Sequence, residues 1–175
     1  GEETMRLMAF DPSVRGFAFA TCLLNWDGDW PDVHTGRFDG GALPRKSPER
    51  LHAARQDRIV DWLELKIAHY EPDVYGVESY GWAAKPDTDV VELVGAVKRI
   101  CRATRATVDV INQAGARTFL LAPEKVPRKG LGAKKACRDR LAGVFAPLGD
   151  LSLDETDALV ILNDLLYRHG GRPLV

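Results

Sequence analysis

The sequence predicts a single α/β domain: a mixed sheet, antiparallel at its start and parallel beyond, covered by helices. Three observations predict it. Two apolar runs near the N-terminus, Arg6–Asp11 and Gly16–Leu24, are joined by a Pro-Ser-Val-Arg turn, and a weaker run follows at His34–Phe38. That grouping is the signature of an antiparallel meander. Farther on, segments with helical spacing alternate with short apolar strands, as in strand–helix–strand units. Finally, 175 residues without an internal repeat, low-complexity tract or linker suffice for one domain with a full core. Gly1–Thr4 read as a remnant ahead of a natural start at Met5.

Each element has its own warrant. Asn25 to Pro31 contains an Asp-Gly pair and a proline and reads as a loop. Ser47-Pro48 starts a helix, with Ser47 as N-cap and Pro48 in the first position. Leu51, Ala54, Ile59, Trp62, Leu63, Ile67 and Tyr70 then form an apolar stripe that ends at Glu71-Pro72, where proline disfavours helix in the residue before it. Val74–Glu78 is a short strand, Asp87–Arg105 a helix and Thr107–Ile111 another strand. Helices are expected over Ala133–Phe145 and Leu153–Arg168, the last opened by the capping-box spacing Ser152-x-x-Glu155.

Composition excludes several classes. No apolar run approaches the ~20 residues needed to span a bilayer, so no membrane partner is expected. The polar, acidic start is not a signal peptide. Cys22, Cys101 and Cys137 are odd in number and widely spaced, which points to reduced thiols. The expected location is therefore the cytoplasm, bacterial or phage-encoded, or an organelle. The net charge of −1 does not announce a nucleic-acid binder, but residues 124–140 hold seven Lys/Arg against two Asp/Glu. A second cluster comprises Lys98, Arg99, Arg102 and Arg105. Such patches are either solvated helix faces or the seat of a polyanion.

Four acidic residues carry most of the chemistry. Asp11 and Glu78 each end an apolar strand, where ligands of open α/β sheets bind. Asp154 and Asp157 lie one helical turn apart and face the same way. Singly, each has a bland reading: Asp11 before Pro12 can open a turn, and acids at Asp154 and Asp157 suit a helix N-terminus. Together they form a set of carboxylates that is costly to bury unless paired, and a hard divalent cation is a natural partner. That arrangement suits two-metal hydrolysis of phosphodiesters. Asp164 shares the helix face but lies deeper, and it is expected to form a salt bridge.

These residues, in this order, carry a resemblance. Met5-Arg-Leu-Met-Ala-Phe-Asp11-Pro-Ser-Val-Arg-Gly-Phe-Ala resembles the opening of the RuvC-type Holliday-junction resolvases. Val-Tyr-Gly-Val-Glu78 resembles that family's second acidic motif, and Asp154-Glu-Thr-Asp157-Ala-Leu its last. Glu92-Leu-Val-Gly-Ala-Val-Lys98 and the basic Gly-Leu-Gly-Ala-Lys-Lys segment follow in matching order, so the resemblance spans nearly the whole chain. It implies a ribonuclease-H-like fold, a homodimer, and nicking of four-way DNA junctions dependent on Mg²⁺ or Mn²⁺, with two ions per site. Asp11, Glu78, Asp154 and Asp157 would be the metal ligands, and Lys134 or Lys135 would contact the scissile phosphate. Pro12-Ser13 stands where the family usually has Pro-Gly. Gly81 stands where it tends to have a base-stacking aromatic, with Tyr80 and Trp82 on either side. The expected DNA-binding residues are Tyr80, Trp82, Lys85, Lys125, Arg128, Lys129 and Arg138. Val90–Val94 and Trp62 are candidate dimer contacts.

Three rivals remain on sequence grounds. One is another nuclease of this fold acting on RNA–DNA hybrids or structured RNA. A second is a non-catalytic nucleic-acid-binding domain, which the four carboxylates disfavour. The third is a sugar-kinase-like phosphotransferase, which wants a Gly-rich phosphate loop that Pro12-Ser13-Val14-Arg15 does not supply.

Overall fold

The computed structural model describes residues 4–13, 15–24, 32–43, 48–79, 88–125, 130–143 and 151–175. Strands β1 (Met5–Asp11), β2 (Ala18–Leu24) and β3 (Val33–Arg37) form the antiparallel meander, with Met5 opposite Leu24 and Asp11 opposite Ala18. Strand β4 (Val74–Ser79) pairs parallel with β1, and β5 (Thr107–Asn112) parallel with β4. The sheet order is β3-β2-β1-β4-β5, the mixed sheet that the sequence predicts.

The period-two alternation of a strand assigns the side chains to two faces. Met8, Phe10, Phe19, Tyr75 and Val77 pack on one face against α1 (Glu49–Tyr70) and α2 (Thr88–Ala103). Leu7, Ala9, Ala18, Ala20, Val74 and Ile111 pack on the other, beneath α3 (Gln113–Leu121), α4 (Gly130–Ala142) and α5 (Leu153–Arg168). Helix α5 is the central one, with ten of its sixteen residues buried. Gly76 of β4 lets it approach: a Cβ there would lie 3.0 Å from Ile161 Cγ2. The capping box expected at Ser152 forms, with the Ser152 hydroxyl accepting from the Glu155 N–H and Glu155 reaching back. Asp164 pairs with Arg168, Nε to Oδ2 3.1 Å, as expected.

Two sequence expectations change. Leu51 and Ala54 stay exposed, and the buried stripe of α1 is Arg55, Ile59, Leu63 and Ile67. Arg55 takes the first place because its guanidinium donates to the Gly40 carbonyl at 3.0 Å, so its polar head is satisfied. Helix α3 was not expected. It is capped by Asn112, whose side chain accepts from the Gly115 N–H at 2.9 Å. Trp62, a candidate dimer contact, packs within its own chain against Phe17, Phe19 and Phe38. Ser47 and Phe145 lie outside the described residues. Among the described residues no helix is long and apolar enough to cross a membrane.

Candidate active site

The register of the two parallel strands brings the first two carboxylates together. Phe10 is opposite Val77, so the next residues, Asp11 and Glu78, end neighbouring strands at the same edge of the sheet. Because Phe10 and Val77 face α1 and α2, Asp11 and Glu78 face α5. The first two turns of α5 carry Asp154 and Asp157 to the same edge, and Gly16 makes the approach possible. A Cβ on Gly16 would lie 2.2 Å from Asp154 Oδ2, so any larger residue displaces that carboxylate. The turn holding Gly16 is fixed by Ser13, whose Oγ accepts from the Arg15 and Gly16 N–H groups, each at 3.3 Å. Serine thus supports the turn where the resembling family usually has glycine.

Three cations meet two of the four carboxylates. Asp157, almost fully buried, receives Lys134 Nζ on Oδ2 at 2.7 Å and Arg117 Nη2 on Oδ1 at 2.9 Å. Gln113 Nε2 adds a bond to Oδ1 at 3.2 Å. Arg37 at the end of β3 reaches Asp154, Nε to Oδ2 3.2 Å. Among the described residues no cation comes within ion-pair distance of Asp11 or Glu78. The electrostatics reflect this imbalance. Burial, then the charges of Asp157, Glu78 and Asp154, push the Asp11 carboxyl well above the usual carboxylate range. Burial and Asp157 raise Glu78, against the opposing pull of Arg117 and Lys134. Burial also raises Asp154, despite Arg37 and Lys134. For Lys134, burial acts to lower the ammonium, but the hydrogen bond and charge of Asp157, with Asp11, outweigh it and hold the group charged.

Among the described residues no group of three or more His, Cys, Asp or Glu side chains already forms a metal cage, and Asp157 is engaged by Lys134 and Arg117 instead. The donor set nevertheless fits a hard divalent cation. Asp11 and Glu78 are oxygen ligands without an ion-pair partner among the described residues, and burial, with the charge of Asp157 behind it, makes them proton-hungry.

Of the two candidate lysines, Lys134 faces the carboxylates and Lys135 is exposed. Lys125 is exposed in the segment before α4, and Arg138 is half-buried one turn after Lys134. Tyr80, Trp82, Lys85, Arg128 and Lys129 lie outside the described residues. The second basic cluster is not beside the site. Lys98, Arg99 and Arg102 occupy the last turns of α2, and Arg105 follows them towards the start of β5, at the opposite edge of the sheet. Arg37, Gln113 and Arg117 were missed from sequence. The Asn112 N-cap signal could have revealed α3 and with it Gln113 and Arg117; nothing local marks Arg37.

No family model and no curated protein matches the sequence. Solved structures do match the fold. RuvC from Thermus thermophilus aligns over 97% of this chain and 99% of its own, with 17% identity and a TM-score of 0.63. The same enzyme in complex with a Holliday junction substrate aligns over 97% and 99%, with 15% identity and a TM-score of 0.66. The fowlpox virus resolvase with its substrate Holliday junction DNA aligns over 95% and 98%, at 14% identity and a TM-score of 0.60. The chain has the fold of these resolvases. It is the ribonuclease-H-like fold that the sequence resemblance implies, matched end to end.

Proposed function

We propose that the protein is a structure-specific endonuclease that resolves four-way DNA junctions by divalent-metal-dependent phosphodiester hydrolysis. One observation carries the reading. Asp11 and Glu78 end adjacent parallel strands under the Asp154/Asp157 turn of α5, in a fold shared end to end with resolvases, two of them bound to junction DNA. The four carboxylates would hold Mg²⁺ or Mn²⁺, two ions per site, supplying an activated water and stabilising the leaving 3′ oxygen.

The chain's own residues have distinct tasks. Arg117 and Gln113 fix the Asp157 carboxylate, so its orientation is set before any ligand arrives. Arg37 does the same for Asp154. Lys134, held charged beside Asp157, is the residue that faces the scissile phosphate and offsets charge growing on it; Lys135 is not. Tyr80 and Trp82 stack on unpaired bases at the crossover, where stacking contributes about 1–3 kcal/mol. Lys85, Lys125, Arg128, Lys129 and Arg138 meet backbone phosphates. Paired nicks need two identical sites in fixed relation, which a two-fold homodimer provides, with Val90–Val94 as a candidate contact.

Cleavage of a synthetic mobile four-way junction, a linear duplex and an RNA–DNA hybrid in Mg²⁺ or Mn²⁺ tests the assignment. Symmetric nicks in the junction alone, lost in Asp11→Asn, are expected. Cutting of the hybrid reassigns the chain to another nuclease of this fold, and tight junction binding without cutting makes it a binding module.

A further inference from the structure

Beside the carboxylates lies a second charged feature that the cleavage chemistry does not use. A cavity of about 620 Å³ is bounded by the end of β3, the Gly40-Gly41 turn, the first residues after Asp11 and the face of α1. Arg15, Arg37 and Arg55 line it. Arg58, exposed one turn below Arg55, shares its aromatic base: the guanidinium carbons of Arg55 and Arg58 lie 5.5 and 5.7 Å from the centre of the Phe38 ring. Three arginines from three elements thus line one opening, and Arg58 adjoins it across the Phe38 ring. The acid in its lining is Asp39, whose carboxylate accepts from the Gly41 N–H at 3.5 Å.

The arrangement is built, not incidental. Arg55 is buried, and donates to the Gly40 carbonyl at 3.0 Å and to the Arg15 carbonyl at 3.4 Å, tying the turn and the β1–β2 connection to α1. Gly40 is needed there, because a Cβ would lie 2.5 Å from Phe38 Cε1 and 3.1 Å from Arg55 Nη1. Burial and repulsion from Arg58 and Arg37 make the Arg55 cation harder to hold, with Asp39 opposing. Like charges crowded in this way are unfavourable in the free protein and are relieved by an anion. Planar forks on an aromatic ring suit phosphate oxygens in particular.

The pocket shares a wall with the carboxylate site. Arg37 lines the pocket while its Nε sits 3.2 Å from Asp154 Oδ2. We infer that the Arg15–Arg37–Arg55–Arg58 pocket is a docking site for a backbone phosphate of the DNA being cut, flanking the scissile phosphate and fixing the strand's register over the carboxylates. This inference rests on the nuclease reading. Phosphate contacts of this kind position a substrate without reading its sequence.

Salt-dependent binding of a four-way junction, with metal chelated so that the DNA stays intact, tests it. Arg15→Gln/Arg58→Gln removes two exposed cations and leaves Arg37, paired with Asp154, and the fold-bearing Arg55 in place. An Arg99→Gln/Arg102→Gln variant at the far edge of the sheet is the charge-matched control. Each phosphate contact contributes about 0.9 to the slope of log K against log salt. The slope is therefore expected to fall by about 1 in the Arg15/Arg58 variant and to stay unchanged in the control. An unchanged slope, or an equal fall in the control, overturns the pocket and leaves the nuclease reading standing. Absence of junction binding by the wild-type chain overturns both. Stabilisation by millimolar inorganic phosphate that the Arg15/Arg58 variant loses, with no change in the DNA slope, would assign the pocket to a free anion and also overturn the inference.

Discussion

The two faces of the sheet are built from different materials. Against α1 and α2 the strands present Phe10, Phe19 and Tyr75, and Phe17, Phe38 and Trp62 extend the cluster with ring centroids 5.7–6.0 Å apart. Against α5 they present Ala9, Ala18, Ala20 and Gly76, and the buried groups there include Thr156, Asp157, Asn163 and Gln113. Bulk on the first face buries apolar area, at about 1.5–3 kcal/mol for each large side chain. Small residues on the second let a helix settle close to the strands, so its first turns reach the strand ends and deliver two aspartates to Asp11 and Glu78. Both faces bury apolar area, but the aromatic bulk lies on one and the chemistry on the other.

The largest expected difference between the faces is in cleavage. Asp11→Asn or Glu78→Gln should lower the single-turnover rate on a four-way junction by on the order of 10²–10³-fold, the scale of losing one preorganised electrostatic group. Binding in chelator should not weaken, because each change removes negative charge beside a polyanion. Phe19→Leu, on the opposite face, should lower the unfolding free energy by about 1 kcal/mol and leave the rate of folded protein unchanged. A carboxylate variant that cuts at the wild-type rate would falsify the division.

Lys134 and Lys135 sharpen the comparison within one helix. Lys134→Gln removes the Nζ on Asp157 and is expected to slow cleavage by about 10²-fold. Lys135→Gln, exposed and adjacent in sequence, should stay within about twofold, as surface changes usually do. Equal losses at the two positions would mean that bulk positive charge, not placement, is what matters.

Neighbouring residues of β4 give a smaller, two-sided test. Gly76→Val pushes a side chain into Ile161, Leu165 and Ile111, and overpacking of this kind costs about 1–3 kcal/mol. It should also slow cleavage, since α5 carries Asp154 and Asp157. Val77→Ile overpacks the aromatic face by a single methylene. Thermal unfolding should register both, but only Gly76→Val should change the cutting rate.

Much of this division is legible in the sequence, and the reasons are local. Apolar runs ending in Asp11 and Glu78 expose strand and carboxylate together, and Ser152-x-x-Glu155 fixes where α5 begins and hence that Asp154 and Asp157 lie in its first turns. Helix α3 escaped because its nine residues, with Gly115 inside, are too short for a periodic stripe, and its Asn112 cap is a single side chain. Gln113 and Arg117 escaped with it. Arg37 sits at the end of a weak edge strand, and its contact with Asp154 spans 117 residues of chain (154 − 37), so only the folded chain pairs them. Arg55 was not singled out, because a buried arginine is intelligible only once the Gly40 and Arg15 carbonyls that receive it are placed.

The smallest effect concerns how protons and metal share the site. Asp11, Glu78 and Asp154 are raised above the usual carboxylate range, by burial first and by neighbouring charge after it, with Asp157 a contributor to each. The folded chain therefore holds these protons more tightly than the unfolded chain. Their contribution to metal-free stability is greatest in acid, and falls as pH rises from the unfolded carboxylate range through the raised folded values. The raised Lys134 acts only above the ordinary lysine range and leaves that window untouched. A divalent cation replaces the protons, so its stabilising effect should grow with pH. At a hundredfold excess over Kd it is worth about 2.7 kcal/mol, a shift in Tm of several degrees for a domain of this size. The Tm gain from Mg²⁺ should be larger at pH 8 than at pH 5. Calorimetry at pH 6 in buffers of different ionisation enthalpy should register proton release on binding. Asp11→Asn should flatten the metal-free pH dependence, whereas Phe19→Leu should shift the whole curve down without changing its shape. Equal Mg²⁺ gains at both pH values, without proton release, would remove the carboxylate cluster as the place where the cation binds.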